Sequence, residues 1–196
     1  YLAKPFDLGE LRARINSGKR IVELQKELVD SKKKLEYQLE HDVLTGLYSR
    51  RFIMEKLNRE IARSQRTGSS FAVAICDIDH FKKINDSYGH QAGDIVLREF
   101  GKILEGNIRE YDSVGRIGGE EFLMITPLKN EEDEISLFER VRSKVENGRI
   151  AVESGKIAMT VSIGVTFYES GKDSDKIISE ADKALYIAKN SGRNRV

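Results

Sequence analysis

The sequence predicts an α/β (α+β) protein: a ferredoxin-like, mainly antiparallel sheet backed by helices and preceded by one long helix. Three observations lead to this class. Residues from about 7 to 41 contain no proline and are dense in Leu, Glu, Lys and Gln. The rest of the chain alternates short apolar runs with stretches of helical spacing. After the helix that begins near residue 49, these segments follow the order β-α-β-β-α-β-α, which is the split βαβ layout.

The long first helix is predicted to pair with a second copy from residue 21 onward. Its apolar residues recur at alternating steps of three and four, as in a heptad seam. Two polar residues interrupt the seam, so we expect a marginal parallel homodimer. A single solvated helix, held only by its domain, is the alternative. The seam positions are Ile21, Leu24, Leu28, Ser31, Leu35 and Gln38.

Cap and turn residues delimit the following elements. Ser49 is typical of a helix N-cap, and the helix after it should stop at Gly68. The stretch "SFAVAICDIDHF" predicts a buried central strand, followed by a polar loop and a helix from about 91 to 107. Two strands flank "GGEE" as a hairpin. A helix from about 131 to 147, one long strand "KIAMTVSIGVTFY" and a helix ending near Gly192 complete the layout.

Composition excludes several classes of protein. The 33 basic and 32 acidic residues nearly cancel, so the charge does not favour a nucleic-acid binder. Cys76 lies inside an apolar run, which indicates a buried thiol and a reducing cytoplasm rather than a disulfide framework. No apolar stretch approaches the roughly 20 residues that cross a bilayer. We therefore expect a cytoplasmic fragment without membrane contact, and a membrane segment upstream of Tyr1 stays open.

Carboxylates converge where the first strand ends beside the hairpin. Asp77 with Glu120, and with Glu121 less firmly, would form a set of hard oxygen ligands suited to Mg²⁺, supplemented by the carbonyl of Ile78. A divalent cation would remove the repulsion between these carboxylates. We expect Asp79 to point to the opposite face from Asp77. Taken alone, "GGEE" is more often a polar hairpin tip without any site.

Two longer stretches strengthen the case for a site. "DIDHFKKINDSYGHQAGD" combines the strand-end aspartates with a polar loop and a helix start near Asp94. "KNSGRN" places Lys189 and Arg193 four residues apart at a helix terminus. Each stretch also has a simpler interpretation: a surface loop with a capping Asp, and cations that complement a helix dipole.

Together these motifs resemble the GGDEF-domain diguanylate cyclases over residues 42 to 196. "DVLTGLYSRR" is similar to the opening motif of the family, except that Ser49 stands where Asn is usual. "GGEEF" is the signature in its Glu variant, and "SIGV" and "AKNSGRN" resemble the closing pair. The resemblance implies the nucleotidyl-cyclase palm fold and a nucleotidyltransferase that condenses two GTP into cyclic di-GMP with loss of two pyrophosphates. Each domain holds one GTP, so a homodimer is implied.

The resemblance also implies residue roles. Asp77, the Ile78 carbonyl and Glu120 would hold two Mg²⁺, with Mn²⁺ as the alternative ion, and Glu120 would help to deprotonate the attacking 3′-hydroxyl. We assign Glu121 to the metal as well. The remaining substrate residues are Phe81 and Lys82 of the "HFKK" loop with Lys189 and Arg193 for the phosphates, Asn85 and Asp94 for guanine, and His90 near the base or as a structural histidine.

Product inhibition is the next expectation. "REYD" puts Arg109 and Asp112 in an R-x-x-D pattern, with five residues between Asp112 and Gly118. This is the spacing of the family's inhibitory site for cyclic di-GMP. Arg140 resembles the secondary arginine that a partner domain contributes. An arginine fork can stack on guanine and bind phosphate at once.

The first residues resemble the end of a two-component receiver domain. "YLAKPFDLGELRARI" would be the turn after its last strand and its final helix, so we divide the chain into a receiver remnant (1–20), a coiled-coil linker (21–41) and a cyclase domain (42–196). Three rival functions remain: a catalytically weak domain that only binds GTP or cyclic di-GMP, a dimerising scaffold, and a cyclase with a mixed or adenine-containing product.

Overall fold

The computed structural model describes residues 8–128, 131–153 and 155–196, and the chain divides into two compact units, Tyr1–Leu39 and Glu40–Val196. Helix α1 spans Leu8–Glu40 and accounts for the described part of the first unit. No residue of α1 is buried, and its exposed apolar side chains include Ile21, Leu24 and Leu28. The expected long helix is therefore confirmed. Its pairing with a second copy stays a prediction, and the "YLAKPFD" turn lies outside the described residues.

The second unit begins with a capped helix and the central strand. Helix α2 spans Arg50–Thr67; the Ser49 hydroxyl accepts from the Phe52 N–H at 3.4 Å, and Gly68 ends the helix at φ 71°. Strand β1 spans Phe71–Ile78, and all eight of its residues are buried. Helix α2 agrees with the sequence-based boundaries because local cap chemistry sets both of its ends, and β1 agrees because its apolar run is buried.

Two helices follow β1 where we predicted a polar loop and one helix. Helix α3 spans Phe81–Tyr88 and helix α4 spans His90–Glu105, separated by Gly89 at φ 83°. The loop prediction is wrong for α3, because its eight residues are mostly polar and only two of them are buried. The "HFKK" segment is thus the first turn of a helix.

The remaining elements complete an antiparallel sheet. Strands β2 (Ser113–Arg116) and β3 (Glu121–Pro127) form the predicted hairpin, and α5 covers Glu131–Asn147. Strands β4 (Ile150–Val152) and β5 (Gly155–Ile157) form a separate two-stranded sheet. Strand β6 covers Val161–Phe167 and α6 covers Ser174–Asn190. The predicted single strand from 156 to 168 is therefore wrong at its start, where β5 belongs to the smaller sheet.

The main sheet has the order β2-β3-β1-β6, and every neighbouring pair is antiparallel. Alternate residues of β1 face two cores: Ala74 and Cys76 pack with α4 and α5, while Val73 and Ile75 pack with α2 and α6. Asp77 continues the second series and faces α6. None of the described helices is long and apolar enough to span a membrane. The expected ferredoxin-like class with a long leading helix is confirmed.

Candidate functional site

Asp77 is the centre of the site at the end of β1. Its side chain is almost buried, and the Lys189 ammonium of α6 lies 2.7 Å from its Oδ2. Burial raises the pKa of this carboxyl, and the hydrogen bond and charge of Lys189 partly offset that effect. The positive charge of Arg193 acts in the same direction as Lys189. The structure thus brings together the predicted carboxylate and both predicted phosphate-binding cations.

Glu120 reaches the same place from the turn between β2 and β3. The Ile78 N–H donates to the Glu120 carbonyl at 3.4 Å, which joins the hairpin to the end of β1. The pKa of Glu120 is raised, first by burial and then by the negative charge of Asp77. Glu121 lies directly opposite Asp77 in the β1–β3 register, and its charge also raises the pKa of Glu120. Glu120 and Glu121 therefore lie at the same end of the sheet as Asp77.

The turn that carries Glu120 is held by Arg116, to which the sequence assigned no role. Its guanidinium donates to the Gly119 carbonyl from Nη2 at 2.8 Å and from Nε at 3.1 Å, and Nη1 lies 3.3 Å from Asp42 Oδ1. Asp42 in turn accepts from the Thr45 N–H and hydroxyl at 2.9 and 2.8 Å. Arg116 thus links the "GGEE" turn to the "DVLTG" turn.

Gly118 leaves room for the side chain of Glu121. A Cβ at this position would meet the carboxylate of Glu121, whereas a Cβ at Gly119 would meet nothing within 4 Å. Neither glycine has the positive φ that a left-handed turn would need. The glycines therefore leave room around the carboxylates without fixing the turn by backbone conformation.

Asp79 lies on the same face as Asp77, so the expectation that the two point to opposite faces is wrong. Residues two apart on a strand share a face. Asp79 accepts from the hydroxyls of Ser162 and Thr160, each at 2.7 Å, and Ser162 lies opposite Asp77 in the β1–β6 register. It also accepts from the Asn194 N–H at 3.1 Å. Asp79 thus fixes β6 and the C-terminal turn beside the site.

The other predicted guanine and phosphate residues lie on α3 and α4. Phe81 opens α3 with a buried side chain, and Lys82 beside it is exposed. Asn85 packs so closely against Gly93 that a Cβ there would overlap its amide. Asp94, next to Gly93, is exposed on α4, as is His90, its first residue. The fold therefore brings Asn85 next to the turn that carries Asp94.

The donor set fits a hard divalent cation only in part. Asp77 and Glu120 offer carboxylate oxygens whose negative charges disfavour each other, the situation that a cation relieves. In the described part of the chain, however, no group of three or more His, Cys, Asp or Glu has the geometry of a metal site. Two carboxylates with a backbone carbonyl thus suit an ion that takes its other ligands from substrate or water.

The three predicted inhibitory residues lie around the loop after α4. The Arg109 N–H donates to Asp112 Oδ2 at 2.7 Å, which closes the R-x-x-D turn, and the Arg109 guanidinium lies 5.8 Å from the Tyr111 ring centroid. Arg140 of α5 donates to the Asn107 carbonyl at 3.2 Å. A cleft of about 280 Å³ adjoins this loop. One chain alone therefore brings Arg140 to the R-x-x-D loop.

Comparison with known proteins agrees with this geometry. The family described as "Diguanylate cyclase, GGDEF domain" matches residues 39–195. The chain belongs to this family.

Relatives and solved structures extend the match beyond the GGDEF domain. The diguanylate cyclase DosC of Escherichia coli (strain K12) is 40% identical over 92% of this chain and 39% of its own length. The response regulator PleD of Caulobacter vibrioides is 37% identical over 100% of this chain and 44% of its own. The coiled coil and GGDEF domain of DgcB from Caulobacter crescentus, crystallised with c-di-GMP, matches with TM-score 0.85 at 31% identity over 95% of this chain and 97% of that one. The chain spans less than half the length of DosC and PleD.

Proposed function

We propose that this GGDEF domain condenses two GTP molecules into cyclic di-GMP and two pyrophosphates. The observation that carries the proposal is the pairing of Asp77 and Glu120 beside Lys189, with the charge of Arg193 acting on the same carboxylate. Acidic oxygens next to two cations suit a reaction in which a hydroxyl is deprotonated and a triphosphate is cleaved.

Glu120 is the proposed catalytic residue. Its carboxylate, at the end of the hairpin beside Asp77, would accept the proton of the attacking 3′-hydroxyl. Two Mg²⁺ ions, with Mn²⁺ as the alternative, would be held by Asp77, the Ile78 carbonyl, Glu120 and Glu121. When bound, these ions would acidify that hydroxyl and stabilise the charge on the phosphate. The chain's own part is to hold these oxygens on a buried strand end and a clamped turn.

Substrate recognition is divided between the two ends of the site. Lys189 and Arg193 would neutralise the triphosphate, with Lys82 and the N–H groups of the first turn of α3 from Phe81 onward. Asp94 and Asn85 would read guanine, because a carboxylate accepts from its N1–H and amine, a pair that adenine does not present. His90 would lie near the base or serve as a structural histidine. An ATP-derived product would contradict this assignment.

The test is a product assay with one matched variant. Purified protein is incubated with Mg²⁺ and either GTP or ATP, the product is identified by mass, and the assay is repeated with Glu120→Gln. We expect cyclic di-GMP from GTP only, and a turnover lowered at least about 100-fold in the variant. Binding of GTP or cyclic di-GMP without product would instead support the rival binding module.

Dimerisation through α1 is part of the proposal, since one domain holds one GTP. The exposed apolar side chains of α1 include the seam residues Ile21, Leu24, Leu28 and Leu35. The similarity to the coiled-coil form of DgcB supports this role. Removing residues 1–41 should lower specific activity at low protein concentration. Equal activity at matched concentration would contradict it.

Product inhibition and upstream control complete the proposal. Arg109, Asp112 and Arg140 would bind cyclic di-GMP, and Arg109→Ala should abolish inhibition by added product.

The match to the response regulator PleD along the whole chain supports a receiver domain ahead of α1, whose phosphorylation would pair the helices. Absence of a receiver from the full-length gene would end that part. Since GTP is the substrate, we place the protein in the bacterial cytoplasm.

A further inference from the structure

The C-terminal turn beside the site has an unusual backbone. Among the described residues, three that are not glycine have φ in the left-handed region: His80 at 58°, Arg193 at 63° and Asn194 at 49°. Side chains with a Cβ disfavour this region, so such residues persist only where neighbouring contacts impose it. Two of the three are consecutive, and one of these is the arginine assigned to the triphosphate. The turn therefore needs an external support.

Asn194 supplies that support through both its backbone and its side chain. Its N–H donates to Asp79 Oδ2 at 3.1 Å. Its Oδ1 accepts from Arg142 Nη1 at 3.0 Å, and its Nδ2 donates to Glu146 Oε1 at 2.8 Å. Both ends of the amide are thus engaged by α5, while the backbone is tied to the end of β1.

Arg142 and Glu146 form a fixed platform on α5. Arg142 Nε donates to Glu139 Oε2 at 2.7 Å, and Nη1 donates to Glu146 Oε2 at 2.8 Å. The Arg142 side chain is only 18% exposed, whereas those of Glu139 and Glu146 are 46% and 45% exposed, so Arg142 is the shielded member of this group. The buried side of α5, which includes Phe138 and Val141, anchors the helix in the core. Asn194 is therefore held by a rigid part of the fold.

The consequence concerns Arg193, the preceding residue. Its N–H donates to the Ala188 carbonyl at 3.1 Å, and its charge acts on Asp77. We propose that Asn194, locked by Arg142 and Glu146, is a positioning residue that holds Arg193 toward the triphosphate of the substrate. This inference rests on the proposed function, because it takes a triphosphate as the ligand of Arg193.

The test compares triphosphate binding in three variants. Asn194→Gly keeps a residue that tolerates the left-handed turn and removes both hydrogen bonds of the amide, so the protein should stay folded with a modest loss of thermal stability. The affinity for a non-hydrolysable GTP analogue should fall about five- to tenfold, which is equivalent to losing one hydrogen bond between Arg193 and the triphosphate. The affinity for guanosine, which has no phosphate, should stay unchanged. Arg142→Met should reproduce the pattern, and Arg59→Ala, which removes an exposed ion pair with Glu55, is the control.

A double variant separates positioning from a general structural role. If Asn194 acts through Arg193, then Asn194→Gly combined with Arg193→Ala should bind the analogue no more weakly than Arg193→Ala alone. Additive losses, or an equal loss of guanosine affinity, would overturn the inference, as would wild-type affinity in Asn194→Gly. If Arg193→Ala itself left the affinity unchanged, the phosphate role in the proposed function would fail first. A loss of analogue affinity in Arg193→Ala without such a loss in Asn194→Gly would refute the positioning role of Asn194 and leave the phosphate role of Arg193 intact.

Discussion

Replacing Arg116 by Ala should loosen the hairpin that carries Glu120. The two hydrogen bonds from Arg116 to the Gly119 carbonyl, at 2.8 and 3.1 Å, should each contribute about 1 kcal/mol to the free energy of unfolding. The pair with Asp42 joins side chains that are 17% and 25% exposed and should contribute about 0.5 to 1 kcal/mol. The expected loss in the free energy of unfolding is therefore about 2.5 to 3 kcal/mol.

The same variant should lose activity, because Glu120 follows the carbonyls that Arg116 holds. Small displacements of catalytic groups lower the rate by up to about 100-fold. We therefore expect the turnover of GTP to fall by about tenfold or more. Urea unfolding and the product assay measure the two effects. Arg59→Ala, whose exposed pair with Glu55 is local to α2, should change stability by less than about 0.5 kcal/mol. A similarly small change in stability for Arg116→Ala would refute the stabilising role of Arg116 in the turn. Full activity after a large loss of stability would refute the link between Arg116 and Glu120.

Three further predictions follow from single positions. Gly93→Ala should weaken guanine nucleotide binding in a titration, because the new Cβ must displace the side-chain amide of Asn85 and also crowds the Phe81 ring. Glu120→Gln should melt higher than the wild type at pH 7 without divalent ions: a carboxyl with a raised pKa loses stability as the pH rises from its unfolded to its folded pKa, so the gain should vanish in acid. Gly164→Ala should cost at least about 2 kcal/mol in urea unfolding, since its Cβ would overlap the backbone of α6, which cannot yield. Gly18→Ala, where a Cβ meets nothing within 4 Å, is its control.

The fold was predictable where local chemistry defines an element. The limits of α2 follow from Ser49 and Gly68, and the antiparallel sheet follows from its apolar runs and their order. Helix α3 was missed because its polar sequence resembles a loop, and tertiary packing of Phe81 and Ile84 decides its conformation. Strands β4 and β5 have three residues each, too few for a periodic signal.

The site was predictable only in its chemically distinctive members. Carboxylates at a strand end and a glycine-flanked turn point to a site even before any family resemblance. The supporting residues gave no such signal, because their partners are remote in sequence: Arg116 and Asp42 are 74 positions apart, and Asn194 and Asp79 are 115 apart. The face on which Asp79 lies could have been predicted by applying the strand period of two residues to the end of β1.

The contact between Lys189 and Asp77 connects substrate binding to cation binding in the proposed reaction. The Lys189 ammonium, 2.7 Å from Asp77 Oδ2, offsets part of the effect of burial on the pKa of that carboxyl. A triphosphate that draws Lys189 toward itself removes this compensation and leaves Asp77 facing Glu120, whose pKa the charge of Asp77 already raises. A divalent cation restores the balance, because it neutralises both carboxylates at once. Triphosphate and cation should therefore each raise the affinity for the other, because the triphosphate removes from Asp77 the Lys189 charge that the cation replaces, and coupling between two ligands is reciprocal.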